Sequence, residues 1–439
     1  MDPLTPSLDR NLNDWIVEVN ENLKRMPSDE HQHHKKVSIY RVPHTGLNDK
    51  AYRPQAVSFG PYHHDNEHLR PMEEHKQRAL LHFLKRCGKT LKPFLESLSK
   101  VARVIEESYD MLDSKWSSSE GAAGQFLKLM ISDGCFMLKI MRTSTQRTSI
   151  QTGDSYAPDD PIFSYHGERY TIPSIKRDML MLENQLPTLV LNQLVTVATD
   201  SKQDYEYINN LILKFCSPFP RITKMGKCLH VLDVFRKSML MKPKKNFQYD
   251  LVFWMGYGQN IIRSAAELEE AGIRFKKNRT KSLLDISFAN GVLRLPVIIV
   301  NDTTESMFLN LMAFERFHLG ARYELTSYLS FMDKIIDNEQ DIALLHKRGI
   351  IQNNLETDKG AAELFNSMSK GMMLAPDDRL NFVLKKVSKY RKNPWNVWRA
   401  NLFHTYFRNP WVILSLIAAV LLFALTIIQT VYAVLSYNK

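Results

Sequence analysis

The sequence predicts a mainly α-helical protein of the α+β class, with a large helical domain, a small antiparallel β element and one C-terminal transmembrane helix. Three observations lead to this prediction. Apolar residues make up 44% and charged residues 24% of the 439-residue chain, as in globular proteins. Apolar residues recur at helical spacing through most of the chain, with one clear hairpin pattern. The stretch from Asn409 to Asn438 contains no charged residue.

The N-terminal segment, residues 1–36, is polar and contains no apolar run of the kind found in signal peptides. The β-branched and aromatic stretch VSIYRVP that follows it predicts a short strand. The complete predicted organisation is a flexible N-terminal segment (1–36), a globular domain (37–378), a basic juxtamembrane segment (379–410), a transmembrane helix (411–435) and a short tail (436–439).

Several helices are expected in the first half of the globular domain. Phe94, Leu98, Val101, Ile105, Tyr109 and Leu112 are spaced by three and four residues, which predicts one amphipathic helix. The apolar stretch GQFLKLMISDGCFMLKIM predicts a central helix. The stretch SIKRDMLMLENQLPTLVLNQLVTVA predicts another helix, bent at Pro187. The polar residues Glu183, Asn184 and Gln185 within it are expected to satisfy buried backbone groups.

The second half combines helices with the hairpin. Ser264 and Glu267 have the spacing of a capping box, and Gly272 follows as a helix end. In LLDISFANGVLRLP, apolar and polar residues alternate on both sides of Asn290-Gly291, which suits a type I′ turn. Further helices are predicted from about residue 307 to 349 and from 359 into the basic segment.

Motifs for catalysis or phosphate binding are absent from the sequence, which has no GxSxG, GxxxxGK, HExxH or GxGxxG. Cys135 could pair with a histidine as a nucleophile, but a thiol in a strongly apolar helix is more typical of packing. A second set of residues, in GPYHHDNEH, has the types that bind metals: His63, His64, Asp65, Glu67 and His68. The residues therefore predict no catalytic or metal site and no cofactor, and leave a hydrolase with a Cys/His site as an alternative.

The net charge of +11 lies almost entirely at the C-terminal end. From residue 379 onward there are nine basic and no acidic residues, whereas the first 378 residues hold 49 basic and 47 acidic side chains. Positive charge beside a hydrophobic run is typical of a membrane flank. We therefore predict a membrane as a partner and no nucleic acid. The predicted anchor, its basic flank and the missing catalytic motifs together predict a protein partner as well.

The predicted span of about 25 residues gives roughly 37 Å of helix, enough to cross the hydrocarbon core of a bilayer. Its anchor residues are Trp411, Leu416, Leu421, Leu425 and Tyr432. The juxtamembrane basic residues are Lys385, Lys386, Lys389, Arg391, Lys392, Arg399 and Arg408. By the positive-inside rule, this flank predicts a tail anchor with the body in the cytosol. Its lysines and tryptophans could also lie along an anionic leaflet. The length favours the plasma membrane over the endoplasmic reticulum.

Six stretches occur in a fixed order: YRPQAVSFGPYHH, ISDGCFMLKIM, RDMLMLENQLP, SAAELEEAGIRFK, LLDISFANGVLRLP and TSYLSFMDKIIDNEQDIALLHKRGII. With the C-terminal basic stretch and hydrophobic tail, they resemble the plant-specific family known as domain of unknown function 247. The resemblance implies a plant source, a mainly helical domain with a C-terminal anchor, and no established enzymatic activity. Some grass members are associated with pollen-side self-incompatibility recognition.

The leading hypothesis is a membrane-anchored interaction or signalling protein of plants. The alternatives are a membrane-tethered hydrolase and a surface recognition protein of the self-incompatibility type, which would place the body outside the cell. Two glycosylation sequons, at Asn278 and Asn301, make the side of the membrane testable.

Overall fold

The structure, a computed structural model, divides the chain into two units. Unit 1 comprises residues 1–234 and 316–322, and unit 2 comprises residues 235–315 and 323–439. The residues that the structure describes are 10–25, 36–43, 49–116, 122–145, 156–157, 159–217, 224–241, 263–278, 280, 282–370, 378–395, 398 and 410–437.

Helices are the regular secondary structure of the described part of unit 1, and irregular stretches connect them. Its helices are α1 (Arg10–Arg25), α2 (Pro71–Cys87), α3 (Lys92–Ser99), α4 (Ala102–Glu106), α5 (Ala122–Thr145), α6 (Tyr165–Tyr170), α7 (Ile172–Asp178), α8 (Thr188–Thr199) and α9 (Tyr205–Cys216). Helix α10 (Val231–Met239) contains the boundary with unit 2. The predominance of helix confirms the predicted fold class.

Helix α5 is the central helix that the apolar sequence predicts. Between Phe126 and Met141 every side chain except Lys128 is buried, with α2, α8 and α9 packed around it. Gly134 allows α8 to approach closely, because a Cβ atom there would lie 2.5 Å from Leu194 Cδ1. This approach explains a glycine in the middle of a long helix, where it is otherwise unfavourable.

The predicted helix over residues 94–112 is divided in two, which corrects the sequence interpretation. Helix α3 ends at Ser99, and Val101 leaves helical geometry at φ −118° and ψ 6° before α4 begins. The stretch VSIYRVP also differs from its prediction. It forms a single parallel bridge, between Ile39 and Tyr109, in place of a strand.

The predicted helix bent at Pro187 is likewise two helices, α7 and α8, with residues 179–187 outside helical structure. The Gln185 side chain donates from Nε2 to the carbonyl oxygens of Met179 (2.7 Å) and Met181 (2.6 Å). These bonds satisfy carbonyl groups that a helix would otherwise pair with backbone N–H groups. Side-chain bonding therefore replaces helical bonding in this stretch.

Unit 2 combines helices with short strands. Its helices are α11 (Ala265–Glu270), α12 (Thr304–Phe317, which contains a unit boundary), α13 (Glu324–Ile335), α14 (Glu339–Lys347), α15 (Asp358–Ser369), α16 (Asp378–Lys392) and α17 (Pro410–Tyr437). Its strands are β1 (Arg274–Lys277), β2 (Ser287–Ala289), β3 (Val292–Leu295), β4 (Ile298–Val300) and β5 (Ile351–Asn353).

The predicted hairpin is confirmed: β2 and β3 pair antiparallel around Asn290 (φ 50°) and Gly291 (φ 70°). The sheet extends further than predicted, since β1 pairs parallel with β3, and β4 pairs parallel with β5 in a second sheet. The predicted capping box is not formed, because Ser264 makes no side-chain cap bond. The N–H of Ala266 donates instead to Asp341 Oδ1 at 2.8 Å.

Candidate functional site

The C-terminal helix α17 carries the predicted anchor residues. All five, Trp411, Leu416, Leu421, Leu425 and Tyr432, are exposed. The segment from Leu414 to Ser436 has a mean hydropathy of 2.4, and none of its most apolar stretch is buried. At 28 residues, α17 is about 42 Å long. It is long and apolar enough to span a membrane.

Two threonine hydroxyl groups within this helix are satisfied by its own backbone. Thr426 Oγ1 donates to the carbonyl oxygen of Leu422 at 2.8 Å, and Thr430 Oγ1 donates to that of Thr426 at 2.7 Å. A helix in hydrocarbon must satisfy its polar groups internally, because no water is available. The two threonines are therefore compatible with a lipid surrounding.

The basic residues predicted to flank the membrane differ in their exposure. Helix α16 buries Leu380, Val383, Leu384 and Val387 in unit 2, so this part of the predicted basic segment belongs to the packed protein. On its other side, Lys386, Lys389 and Lys392 are exposed, while Lys385 and Arg391 are half-buried. Arg399 and Arg408 lie outside the described residues.

A second polar cluster, which sequence reasoning did not assemble, lies in the interior of unit 1. Asp133 Oδ1 lies 2.7 Å from Lys76 Nζ, and both side chains are fully buried. Asp133 Oδ2 accepts from the N–H of Gly60 at 2.8 Å, while Lys76 also contacts Glu73 (2.6 Å) and Ser58 (3.3 Å). Burial raises the pKa of Asp133 above its usual value, against the opposing effect of Lys76.

Gly60 has a conformation and surroundings that only glycine accommodates. Its φ is +74°, and a Cβ atom would lie 2.9 Å from Tyr109 Oη and 3.0 Å from the carbonyl oxygen of Gln185. The neighbouring Phe59 N–H donates to Asn184 Oδ1 at 2.6 Å. The VSFGP stretch (residues 57–61) is therefore held against the ENQ stretch (residues 183–185) by hydrogen bonds between its backbone and the Asn184 side chain.

Asp178 holds the chain at the start of this stretch. Its Oδ2 accepts from the N–H groups of Gln55 (3.0 Å), Ala56 (2.6 Å) and Val57 (3.0 Å). Burial raises the pKa of Asp178, while the three backbone donors oppose that shift. Together with the bonds of Asn184, this confirms that the polar residues here satisfy buried backbone groups.

The residues proposed for a nucleophilic pair are not arranged for that chemistry. Cys135 is fully buried, and burial raises the pKa of its thiol, which disfavours the reactive thiolate. Asp133 is paired with Lys76 and the backbone of Gly60. His230 Nε2 is hydrogen-bonded to the carbonyl oxygen of Ser38. The described residues thus provide no geometry that favours the hydrolase alternative.

The histidine and acidic side chains of the histidine-rich stretch GPYHHDNEH do not form one cluster, because each has a different partner. His63 Nε2 lies 3.0 Å from Glu183 Oε2 as an ion-pair contact without hydrogen-bond alignment. His64 packs edge-on against the ring of Trp116, Asp65 pairs with Lys115, and His68 bonds to Pro54. Within the described part of the chain, no three His, Cys, Asp or Glu side chains are grouped as metal ligands would be.

The six stretches that resemble the plant family form two groups of three in the structure. In unit 1, YRPQAVSFGPYHH, ISDGCFMLKIM and RDMLMLENQLP meet around Asp133 and Asp178. In unit 2, SAAELEEAGIRFK pairs with LLDISFANGVLRLP through β1 and β3. It also contacts the third stretch, TSYLSFMDKIIDNEQDIALLHKRGII, through the Arg348–Glu269 ion pair at 2.5 Å. The stretches of each group therefore contact one another within a single unit.

A family of plant proteins of unknown function, domain of unknown function 247, matches residues 39–425 of the chain. This protein belongs to that family. Two Arabidopsis thaliana relatives are the UPF0481 protein At3g47200 and the putative UPF0481 protein At3g02645. The first is 30% identical, over 91% of this chain and 86% of its own length. The second is 22% identical, over 94% and 93% respectively. No solved structure matches the chain significantly.

Four tyrosines with raised pKa values lead us to expect that this protein becomes less stable to unfolding at high pH. Burial raises the pKa of Tyr40 to about 12, and it also raises the pKa values of Tyr62, Tyr109 and Tyr328. Above pH about 10, the unfolded chain loses phenol protons that the folded chain retains, so stability falls as pH rises. We expect the free energy of unfolding to fall by about 1.4 kcal/mol per pH unit for each tyrosine.

Chemical denaturation between about pH 9 and 12 measures this effect. Tyr40→Phe removes one titrating group, so its stability should decline less steeply than that of the parent. Equal slopes for the two proteins would contradict the assignment of Tyr40.

Proposed function

We propose that this protein is a single-pass, tail-anchored membrane protein whose body faces the cytosol and acts as a protein-interaction or signalling component. The observation that carries the proposal is α17, an uncharged helix of 28 residues with exposed apolar side chains. A helix of this kind is strongly stabilised by transfer from water into lipid.

The flanking charges support the orientation. Seven basic residues fall between Lys385 and Arg408, and a single one, Lys439, follows the span. Basic residues close to a span are retained on the cytosolic side, so α17 would carry the few residues after it across the membrane. Of the two candidate membranes, the plasma membrane fits the length of the span better than the endoplasmic reticulum does.

An interaction role is supported by the exposed helix α1. Trp15, Ile16 and Val19 are exposed. Val19 follows Trp15 by four residues and Ile16 by three, which places the three side chains on one side of the helix. An apolar helical face in water is typical of a surface that binds another protein. Turnover of a substrate by the purified protein, lost in Cys135→Ala, would instead identify an enzyme.

The topology test adds a spaced Asn-Xaa-Thr acceptor after Lys439 and measures glycosidase-sensitive mobility in plant cells. With the body in the cytosol, the added acceptor enters the lumen and is glycosylated, while the natural sequons are not. Protease protection of microsomes provides the independent measurement, since the cytosolic body should be digested.

The structure identifies Asn301 as the informative natural sequon. Asn301 is exposed, whereas Asn278 Nδ2 already donates to the carbonyl oxygen of Asp285 at 2.7 Å. Thr303→Ala is a suitable control because it removes the sequon and leaves the Asn301 bond to Thr304 (3.0 Å) in place. The opposite outcome is a mobility shift that Thr303→Ala abolishes, together with no glycan on the added acceptor. It would place the body outside the cytosol and favour surface recognition.

A further inference from the structure

Helix α16 and the residues after it expose a set of basic and aromatic side chains that unit 2 does not cover. We call it the basic–aromatic face; its members are Phe382, Lys386, Lys389, Lys392, Trp395 and Trp398. The opposite side of α16 is fixed in unit 2, where the Tyr390 ring packs edge-on against Phe288 at 5.5 Å. Packing on one side therefore holds Lys386, Lys389 and Lys392 toward solvent.

The aromatic members are unusually exposed for their size. Phe382 is 48% exposed and lies under Lys386, whose Nζ is 4.3 Å from the ring centroid. Trp395 and Trp398 are 65% and 56% exposed, and their rings stack at 5.2 Å. Exposed tryptophan rings are costly in water and favoured at the headgroup level of a bilayer.

The charge of this face is uncompensated. The sequence contains no acidic residue after Asp378. Among the described residues, Lys386, Lys389 and Lys392 form no ion pair. Their positive charge matches a surface of phosphate and carboxylate groups, and the adjoining tryptophans match the apolar layer beneath such groups. Single-stranded nucleic acid would satisfy the charge and stack its bases on the two indoles, but the candidate membrane span that follows in the chain favours a lipid surface as the occupant.

The chain length keeps this face close to a membrane. Trp398 and the first residue of α17, Pro410, are 12 positions apart. Even fully extended, that connection spans at most about 43 Å. If α17 spans a bilayer, the face is tethered near its surface, where binding becomes intramolecular and weak contacts suffice.

We propose that the basic–aromatic face binds an anionic phospholipid leaflet, with its lysines on the headgroups and Trp395 and Trp398 in the interface. This inference rests on the proposed span of α17. It adds a second membrane contact, made by a folded helix of the body, whose strength depends on the lipid charge. Phospholipids such as phosphatidylserine supply that charge on the cytosolic leaflet.

The test uses the full chain in lipid nanodiscs, with and without phosphatidylserine, and measures quenching of tryptophan fluorescence by brominated lipid. The Trp411→Phe chain serves as parent, since Trp411 belongs to the span itself. The same chain with Trp395→Phe/Trp398→Phe added lacks both indoles of the face. Subtracting its signal from that of the parent gives the quenching of these two indoles alone. We expect phosphatidylserine to increase their quenching about twofold, and added salt to reduce it.

The triple variant Lys386→Glu/Lys389→Glu/Lys392→Glu should lose the increase. The matched control, Lys92→Glu/Lys100→Glu/Lys128→Glu, reverses three exposed lysines of unit 1 and should retain it. Unchanged circular dichroism shows that the variants fold. Equal quenching with and without phosphatidylserine would overturn the lipid proposal. This is also the result expected if the face binds an acidic protein instead of lipid.

Co-purification with the nanodiscs separates this inference from the proposed function. A chain that remains in the discs after alkaline washing, without charge-dependent quenching, retains the span and overturns the lipid-binding face alone. A chain that does not enter the discs overturns both.

Discussion

Lys76→Met is expected to lower the free energy of unfolding of unit 1 by about 3–5 kcal/mol. The substitution leaves the Asp133 carboxylate fully buried without its ammonium partner, which lies 2.7 Å away. Removing one member of a buried ion pair costs more than the pair itself contributes, because the remaining charge is desolvated and uncompensated. Chemical denaturation of the full chain in detergent, followed by circular dichroism, measures the loss.

Two control variants make this result interpretable. Lys85→Met changes an exposed lysine of the same helix and should alter stability by no more than about 0.5 kcal/mol. Lys76→Met/Asp133→Asn removes both charges and keeps an acceptor for the N–H of Gly60, so part of the lost stability should return. If Lys76→Met costs no more than Lys85→Met, the buried ion pair does not stabilise unit 1.

The second large effect is expected in unit 2, where Glu315→Ala should also cost about 3–5 kcal/mol. Glu315 Oε1 accepts from Arg236 Nε (2.9 Å) and Nη2 (2.7 Å), and from the N–H of Leu325 (3.0 Å). Its Oε2 accepts from the N–H and the hydroxyl of Thr326 at 2.9 and 2.8 Å. The alanine would leave these buried donors without their acceptor, and each such loss carries a desolvation penalty.

Glu315→Gln distinguishes charge from hydrogen bonding. The amide keeps one acceptor oxygen but turns N–H groups toward donors, so its cost should lie below that of alanine and well above zero. Glu363→Gln, on an exposed glutamate of the same unit, is the matched control. A stable Glu315→Ala protein with a normal denaturation midpoint would show that water or another group replaces the carboxylate.

Local patterns in the sequence were sufficient to predict several elements. The central helix α5 was predicted from a continuous apolar run, and the β2–β3 hairpin from alternation around Asn290-Gly291. The candidate span was predicted from a stretch without charge, since hydrophobicity and length decide whether a helix can cross a bilayer. These features depend on neighbouring residues along one segment, so no knowledge of distant contacts was needed.

Other elements could not be predicted, because they depend on partners far along the chain. The predicted Ser264 cap does not form, because the N–H of Ala266 donates to Asp341 instead. Asp341 lies 75 positions further along the chain. The parallel pairings of β1 with β3 and β4 with β5 join short strands whose side chains specify no partner. The residues Asn184 and Gln185 lie in an apolar stretch with helical spacing, but their amides bond to the backbone and end the helix.

The features of the candidate site also fall into those that the sequence predicts and those that depend on distant contacts. The sequence alone determined the uncharged helix α17 and the basic character of the stretch before it, because both are sums over consecutive side chains. Only the tertiary structure decided which lysines of α16 face solvent and which group neutralises Asp133. Whether a charge is exposed or paired depends on which distant segments pack around it, and packing is decided by the burial of the whole fold.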